Sequence, residues 1–190
     1  NLRAGSVAII VGVGGVGGFL VQLARAMGAF PVALDVADDP IARAAQCGAS
    51  IAINIRGLEP KAVRQEVTRQ LTARGIDPAG WQIFECSGNP AGQLLAYQLL
   101  ARGSTISIVG FSAEAIPLKL SMLMALDAEA YGNWGCDPEL YPEALALVLD
   151  RKIDISGAVT QFPLADAPAV LAAAHKHEID KRAVLVPNND

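Results

Sequence analysis

The sequence predicts an α/β fold, a doubly wound parallel sheet of six strands flanked by helices. Short apolar runs rich in β-branched residues alternate along the chain with segments of helical spacing. Of the 190 residues, 52% are hydrophobic and 18% are charged, which is typical of parallel strands buried on both faces. This strand–helix–strand order implies right-handed crossovers.

The elements follow from their start and stop signals. Strands are predicted at residues 7–11, 31–35, 49–54, 81–85, 105–109 and, within an ambiguous segment, near 128–131, with a closing strand at 183–186. Pro and Asp or Asn signals start the helices and Gly ends several of them. The first predicted helix ends before Gly28. The others run from Asp39-Pro40 to Gly48, from Pro60 to Gly75, from Asn89-Pro90 to before Gly103, from Asp137-Pro138 to about Asp150, and from Asp166 to about His177.

The 21 residues between Arg3 and Arg25 carry no charge, a length that could also span a membrane. Six of them are glycine. The run Gly12-Val13-Gly14-Gly15-Val16-Gly17 has G-x-G-x-x-G spacing and separates a β-branched run from residues of helical spacing. This pattern favours a strand, a glycine turn and a helix over a membrane span.

The glycine positions suit a dinucleotide pyrophosphate. Gly12 allows a sharp exit from the strand, Gly14 lets the backbone approach the phosphates, and Gly17 lets the helix pack on the sheet. The N–H groups of Gly15 and Val16 then point at the ligand. Unpaired donors and the helix dipole make this terminus an anion site.

Asp35 supplies the second half of the fingerprint. It ends the second strand 18 residues after Gly17, where a carboxylate can accept both ribose hydroxyls of an adenosine. The residues that follow, 36–39, include no arginine to neutralise a 2′-phosphate. The sequence therefore predicts NAD as the cofactor.

The residues on either side of the glycine turn argue against other proteins that bind nucleotides through a glycine loop. A nucleoside triphosphate loop needs Lys followed by Ser or Thr, and this chain has Gly18 and Phe19. A methyltransferase usually carries an acid near its glycines, where this chain has residues 9–11, Ile-Ile-Val. A net charge of −4 without a basic run argues against nucleic acid as a partner.

No catalytic or metal-binding residue is assigned. His175 and His177 project about 200° apart on a helix, so they cannot share a metal and are interpreted as solvated helix-end residues. Cys47, Cys86 and Cys136 are unevenly spaced. They suit neither a disulfide framework nor a zinc site, and they favour a reduced, cytoplasmic setting.

The carboxyl ends of strands four and five are candidate cofactor walls, because open α/β sheets bind ligands there. The segments at these two ends, predicted to contact the cofactor, are Cys86-Ser87-Gly88 and Val109-Gly110-Phe111. Each segment could instead be an ordinary turn, and Cys86 could equally be a small core residue. Arg182, as an isolated cation near the last strand, would by itself be interpreted as a surface residue.

The whole chain resembles the cofactor-binding half of the zinc-type medium-chain alcohol dehydrogenases. The matching segments are 12–17 with Asp35, Gly48-Ala49-Ser50, Phe84-Glu85-Cys86-Ser87-Gly88 and Lys181-Arg182-Ala183-Val184-Leu185. The resemblance implies a Rossmann fold in which Val16 backs the nicotinamide, Val109 and Phe111 contact its ring and carboxamide, and Arg182 reaches the pyrophosphate.

The resemblance also implies a division of the chain. Residues 1–135 would form the NAD-binding domain, and 136–190 would supply closing helices and a strand that partly complete an absent N-terminal catalytic domain. The zinc ligands would precede strand one, so we expect the chain to be the nucleotide half of a homo-oligomeric enzyme that oxidises a secondary alcohol with NAD.

A narrower resemblance rests on Gly132-Asn133-Trp134-Gly135-Cys136 and the following Pro138–Pro142. These segments resemble a family member that oxidises an alicyclic hydroxyacyl-CoA in anaerobic aromatic degradation, and Asn133 is counted among the cofactor contacts. The expected substrate is an alcohol or acyl-CoA. The chain departs from many family members at Asp38-Asp39-Pro40, where they carry a basic residue, and in the short 132–135 turn.

Two alternatives stay open. Zinc-free quinone or enoyl reductases usually read A-x-x-G-x-x-G and favour NADPH, so Gly12 and Asp35 argue against them. A non-catalytic nucleotide sensor should end after strand six or continue into a ligand domain. This chain instead returns through residues 166–186.

Overall fold

A computed structural model describes residues 2–176, 178–179 and 181–187. Its main sheet has six parallel strands in the order β3-β2-β1-β4-β5-β6, so the predicted doubly wound Rossmann fold is confirmed. The strands are β1 Val7–Val11, β2 Phe30–Asp35, β3 Ile51–Asn54, β4 Gln82–Glu85, β5 Thr105–Ile108 and β6 Glu129–Gly132. The winding direction reverses between β1 and β4, which is where such sheets bind ligands.

Helices connect the strands, and the first four pack on the two faces of the main sheet. They are α1 Gly15–Ala26, α2 Asp38–Gln46, α3 Pro60–Thr72, α4 Pro90–Gln98, α5 Ser121–Ala125, α6 Tyr141–Leu149 and α7 Ala167–His175. A second sheet pairs β7 Val159–Pro163 with β8 Arg182–Val186 in parallel. The strand β7 was not predicted from the sequence. The proposed division at residue 135 stays a prediction.

Local signals explain most helix boundaries. The Asn89 side chain accepts a 2.9 Å hydrogen bond from Ala91 N at the start of α4, as a cap residue does. Gly28 has a φ of +76° just after α1, where a left-handed residue ends a helix. The predicted cap Asp39 is wrong, because α2 begins at Asp38 and Ala37 holds the cap position.

The last helix begins as predicted and ends earlier than predicted. Asp166 holds the cap position of α7, although its side chain makes no capping hydrogen bond. The helix ends at His175, which is exposed, and His177 lies outside the described residues.

The core lies on both faces of the central strand. All five residues of β1 are buried. On one face Ile9 and Val11 belong to the cluster that includes Val67 and Leu71 of α3, and on the other Ile10 joins a cluster with α1 and α2. Continuous burial of β1 explains its unbroken apolar sequence.

The uncharged stretch between Arg3 and Arg25 forms β1, the glycine turn and most of α1. Across the described ranges, no helix is long and apolar enough to cross a membrane. Two hydrogen bonds join Gln22 of α1 to Asp154, which is distant in sequence. Asp154 N donates to Gln22 Oε1 at 2.7 Å, and Gln22 Nε2 donates to the Asp154 carbonyl at 3.2 Å.

Candidate cofactor-binding site

The glycine turn fills the space between β1, α1 and the loop after β4. Gly12 has a φ of +83°, and its N–H donates to the Leu34 carbonyl at 2.8 Å. A β carbon on Gly12 would stand 2.7 Å from Ser87, and one on Gly17 would stand 1.9 Å from the Gly12 carbonyl oxygen. Backbone contacts therefore require glycine at both positions.

Gly14, the middle glycine of the fingerprint, and Gly15 beside it face open space. A β carbon on Gly14 or Gly15 would meet no atom within 4 Å. Gly14 caps α1 without a side-chain hydrogen bond, and the first turn of this 12-residue helix carries no acid. Its first N–H groups have no intrahelical partner. These residues fit the phosphates of a dinucleotide.

Val16 lies beside this open end of α1 with 52% of its surface exposed. An apolar side chain left that exposed, next to unpaired backbone donors, is available to an incoming ligand. The role behind the nicotinamide that the family resemblance implies for Val16 stays a prediction.

Asp35 is tied to the glycine turn. Its Oδ2 accepts from Val13 N at 2.9 Å and its Oδ1 accepts from Ala37 N at 3.0 Å. A carboxylate has about four acceptor sites, so roughly two remain for ribose hydroxyls. The sequence separates Asp35 from the turn, and the fold brings them together.

The structure corrects the inference that no arginine stands near Asp35. Arg56 Nε donates to the Val36 carbonyl at 2.8 Å, which holds the guanidinium beside the residue after Asp35. Arg56 lies two residues after the end of β3, and Asp35 is the register partner of Asn54. The prediction rested only on the residues that follow Asp35 in sequence, whereas parallel pairing places β3 next to β2.

Glu85 lies at the candidate site and was not predicted from the sequence. Its side chain is fully buried, and Oε1 accepts from Ser87 N at 2.7 Å, from Gly88 N at 3.2 Å and from the Ser87 hydroxyl. Its main-chain carbonyl accepts from Val109 N and Gly110 N, both at 2.9 Å. A charged residue at the end of an apolar strand was the sequence feature that could have indicated this position.

Glu85 links the loop after β4 to the loop after β5, the two segments predicted to line the cofactor. A β carbon on Gly110 would lie 2.2 Å from Gly88 N, so the loops after β4 and β5 touch backbone to backbone. Val109 keeps 38% of its surface exposed. The pair of loops therefore forms one wall at the carboxyl edge of the sheet.

Cys86 behaves as a packing residue. It is half-buried against the core cluster shared by α1 and α2. Burial, and next the charge of Glu85, raise the pKa of its thiol to about 12. The thiol stays protonated at neutral pH, which argues for the small-core interpretation over a reactive group.

An aromatic pair stands at the ends of β5 and β6. Phe111 is 75% exposed and Trp134 is 92% exposed, with ring centroids 6.5 Å apart in an edge-to-face arrangement. Asn133 N donates to the Ile108 carbonyl at 3.1 Å, which fixes the backbone of this segment against β5. Exposed paired aromatics at a ligand edge offer an apolar contact surface.

Arg182 starts β8 on the second sheet. Its N–H donates to the Ala158 carbonyl at 2.9 Å, and its side chain is exposed. Within the described part of the chain, no hydrogen bond or ion pair joins that side chain to the glycine turn. Its pyrophosphate contact therefore stays a prediction.

No metal centre is formed by the residues that the structure describes: no group of three or more His, Cys, Asp and Glu side chains is placed to hold an ion. The described residues therefore do not fit a zinc ion, and we assign them no metal chemistry.

Comparisons with known proteins agree with this geometry. Residues 15–150 match the family model described as zinc-binding dehydrogenase. Sorbitol dehydrogenase of Bacillus subtilis (strain 168) is 29% identical over 192 residues, covering 100% of this chain and 52% of that protein. An alcohol dehydrogenase of Geobacillus stearothermophilus is 26% identical over 183 residues, covering 96% and 51%.

Solved structures show the same likeness. The alcohol dehydrogenase of Thermotoga maritima superposes with a TM-score of 0.84 at 25% identity, covering 99% of this chain and 52% of that one. For the alcohol dehydrogenase of Aeropyrum pernix the TM-score is 0.81 at 26% identity, covering 98% and 52%. The chain spans about half the length of the curated relatives it matches.

Proposed function

Because the chain belongs to the zinc-binding dehydrogenase family, whose fold implies binding of NAD or NADP, we propose that it is the NAD-binding part of an alcohol dehydrogenase. The complete enzyme would oxidise a secondary alcohol to a ketone by hydride transfer. One observation carries the proposal: an open helix start, the Asp35 carboxylate and the Glu85-linked loops meet at the carboxyl edge where the sheet reverses direction.

Each part of this edge has a role in the proposal. The N–H groups at Gly15 and Val16 bind the phosphates, and Asp35 accepts the adenosine ribose hydroxyls. Val109, Gly110, Phe111 and Asn133 orient the nicotinamide, and Arg182 reaches the pyrophosphate. Zinc held by other parts of the enzyme would polarise the substrate oxygen.

The proposed substrate is a small alcohol or an acyl-CoA, specifically 6-hydroxycyclohex-1-ene-1-carbonyl-CoA. The 132–136 and 138–142 segments support it through their resemblance, and the exposed Phe111–Trp134 pair supports an apolar ring as substrate. We further propose a cytoplasmic homo-oligomer without nucleic acid or membrane partners. Its three free cysteines support a reducing setting.

A titration of the chain with NAD⁺ tests the proposal. We expect one site per chain in isothermal titration calorimetry, and loss of that site in Gly15→Leu. The Leu side chain would enter the open space at the start of α1, while leucine is a good helix former. Gly15→Leu should therefore unfold at about the wild-type temperature. Absence of NAD⁺ binding to the wild type, or equal binding by Gly15→Leu, would contradict the proposed site.

A second candidate is a zinc-free NADPH-dependent reductase. Arg56 favours it, because a guanidinium beside Val36 could neutralise a 2′-phosphate. A parallel titration with NADP⁺ separates the two: the dehydrogenase proposal expects NAD⁺ to bind at least tenfold more tightly, and the reductase expects the reverse.

A further inference from the structure

Glu85 carries a buried carboxyl oxygen that none of its described neighbours uses. Oε1 receives all three side-chain hydrogen bonds, from Ser87 and Gly88. Oε2 is buried without a hydrogen-bond partner. In the described ranges, no Lys, Arg or His side chain forms an ion pair with Glu85.

The loop hydrogen bonds do not by themselves require an acid. Glutamine has the same length, and the two lone pairs of its carbonyl oxygen could accept the backbone hydrogen bonds from Ser87 N and Gly88 N on the Oε1 side. A buried charge without a partner costs stability, and a buried unsatisfied oxygen calls for an explanation. The negative charge of the carboxylate is the property that glutamine would lack.

The charge lies against the wall assigned to the nicotinamide end. A β carbon on Gly110 would stand 2.8 Å from Glu85 Oε2, and the Glu85 carbonyl holds the N–H groups of Val109 and Gly110. The charge also acts on its surroundings, since it helps to raise the pKa of Cys86. Low-dielectric surroundings extend the reach of such a charge.

The two forms of the cofactor differ in charge at this end. The nicotinamide ring of NAD⁺ is a cation, and the ring of NADH is neutral. A buried negative charge behind the ring stabilises the first and leaves the second nearly unaffected.

We propose that Glu85 is a specificity-determining residue whose buried charge favours binding of the oxidised nicotinamide over the reduced one. The inference rests on the proposed function, since it takes the loops after β4 and β5 as the nicotinamide wall. It assigns the orphan oxygen a role that the loop geometry leaves unexplained.

Calorimetric titration of Glu85→Gln with NAD⁺, NADH and ADP-ribose tests this assignment. At an effective dielectric of about 40, between those of a protein surface and of water, and a separation of about 6–8 Å, loss of one charge should weaken NAD⁺ binding by roughly five- to tenfold. NADH and ADP-ribose, which lack the ring cation, should change by less than about twofold. The matched control is Glu143→Gln, which removes an exposed acid from α6 and should leave all three affinities unchanged.

A ligand pair tests the same idea on the wild type, so the result does not depend on the variant folding. Benzamide adenine dinucleotide replaces the cationic nicotinamide with a neutral ring of similar shape. Wild-type chain should bind NAD⁺ roughly five- to tenfold more tightly than this analogue, and Glu85→Gln should bind the two about equally.

The outcomes separate this inference from the proposed function. Equal wild-type affinities for NAD⁺ and the benzamide analogue would overturn it, as would a Glu85→Gln effect equal for NAD⁺, NADH and ADP-ribose. The second result would give Glu85 a purely structural role. Failure of the wild type to bind even ADP-ribose would overturn the dinucleotide site, and this inference with it.

Discussion

Gly12 and Ser87 pack backbone to backbone where the sheet reverses direction. A β carbon on Gly12 would lie 2.7 Å from the N, Cα and Cβ atoms of Ser87, and Ser87 is in turn bonded to the buried Glu85. The glycine turn and the loop after β4 are thus fixed relative to each other. The phosphate end and the nicotinamide end of the proposed site belong to one rigid edge.

Replacing Gly17 with Ala should destabilise the fold. The new methyl group would stand 1.9 Å from the Gly12 carbonyl oxygen, so α1 must move away from the sheet. Overpacking of this kind costs roughly 1–3 kcal/mol, measurable by urea unfolding. The matched control is Gly18→Ala, whose methyl group would make an ordinary 3.5 Å contact with Val13 O. Equal stabilities of the two variants would contradict the tight packing at Gly17.

Asp35 should set the preference for NAD over NADP. A 2′-phosphate about 4 Å from its carboxylate would be repelled by roughly 4 kcal/mol per unit charge at an effective dielectric near 20, before screening. Asp35→Ser should therefore shrink the preference in calorimetry, mainly by weakening NAD. Asp39→Ser removes a neighbouring acid as control. Tighter binding of NADP than NAD by the wild type would refute this role.

Arg56 should decide how much NADP the Asp35→Ser variant accepts. Its guanidinium is already held at the Val36 carbonyl, beside the vacated acid. Adding Arg56→Ala to Asp35→Ser should weaken NADP binding by about tenfold or more, since a charge-assisted contact contributes roughly 1.5–3 kcal/mol. NAD binding should change little. Unchanged NADP affinity in the double variant would exclude Arg56 from the adenosine side.

Arg182→Ala should weaken NAD binding by about one to two decades, the loss of one charge-assisted phosphate contact of roughly 1.5–3 kcal/mol. The neighbouring exposed Lys181→Ala serves as control for a general loss of positive charge. Identical dissociation constants for Arg182→Ala and the wild type would leave Arg182 as a surface residue on β8.

Alkylation should distinguish the cysteines. The raised pKa of Cys86, about 12, keeps its thiol neutral up to that pH, whereas Cys136 is exposed. Iodoacetamide reacts with thiolates, so at pH 8 peptide mass spectrometry should find Cys136 modified well before Cys86. Comparable rates at the two residues would show that Cys86 is neither buried nor protonated as described.

The isolated chain should oxidise no alcohol and bind no stoichiometric zinc, because the described residues include no ligand cluster. Metal analysis after dialysis and an assay with NAD⁺ and simple secondary alcohols check both parts. About one tightly held zinc per chain would contradict the prediction.

The main sheet was predictable because its strands are short β-branched runs between clear turn signals, and its glycine turn carries a spacing with a physical cause. The strand β7 was not predictable in this way, because its burial alternates and its polar residues Thr160 and Gln161 interrupt any apolar run. The burial of Glu85 and the placement of Arg56 depend on sheet register, which the residues adjacent in sequence do not specify. Long-range pairing decides such positions.

The central place of β1 has a consequence for synthesis on the ribosome. β1 pairs with β2 on one edge and with β4 on the other, and Gln82 follows Asp35 by 47 positions. At about 5–20 residues per second the nascent chain would leave the second edge of β1 unpaired for roughly 2–10 seconds. During that interval Val7–Val11 offers an apolar strand with free backbone groups, the kind of segment that chaperones shield from aggregation.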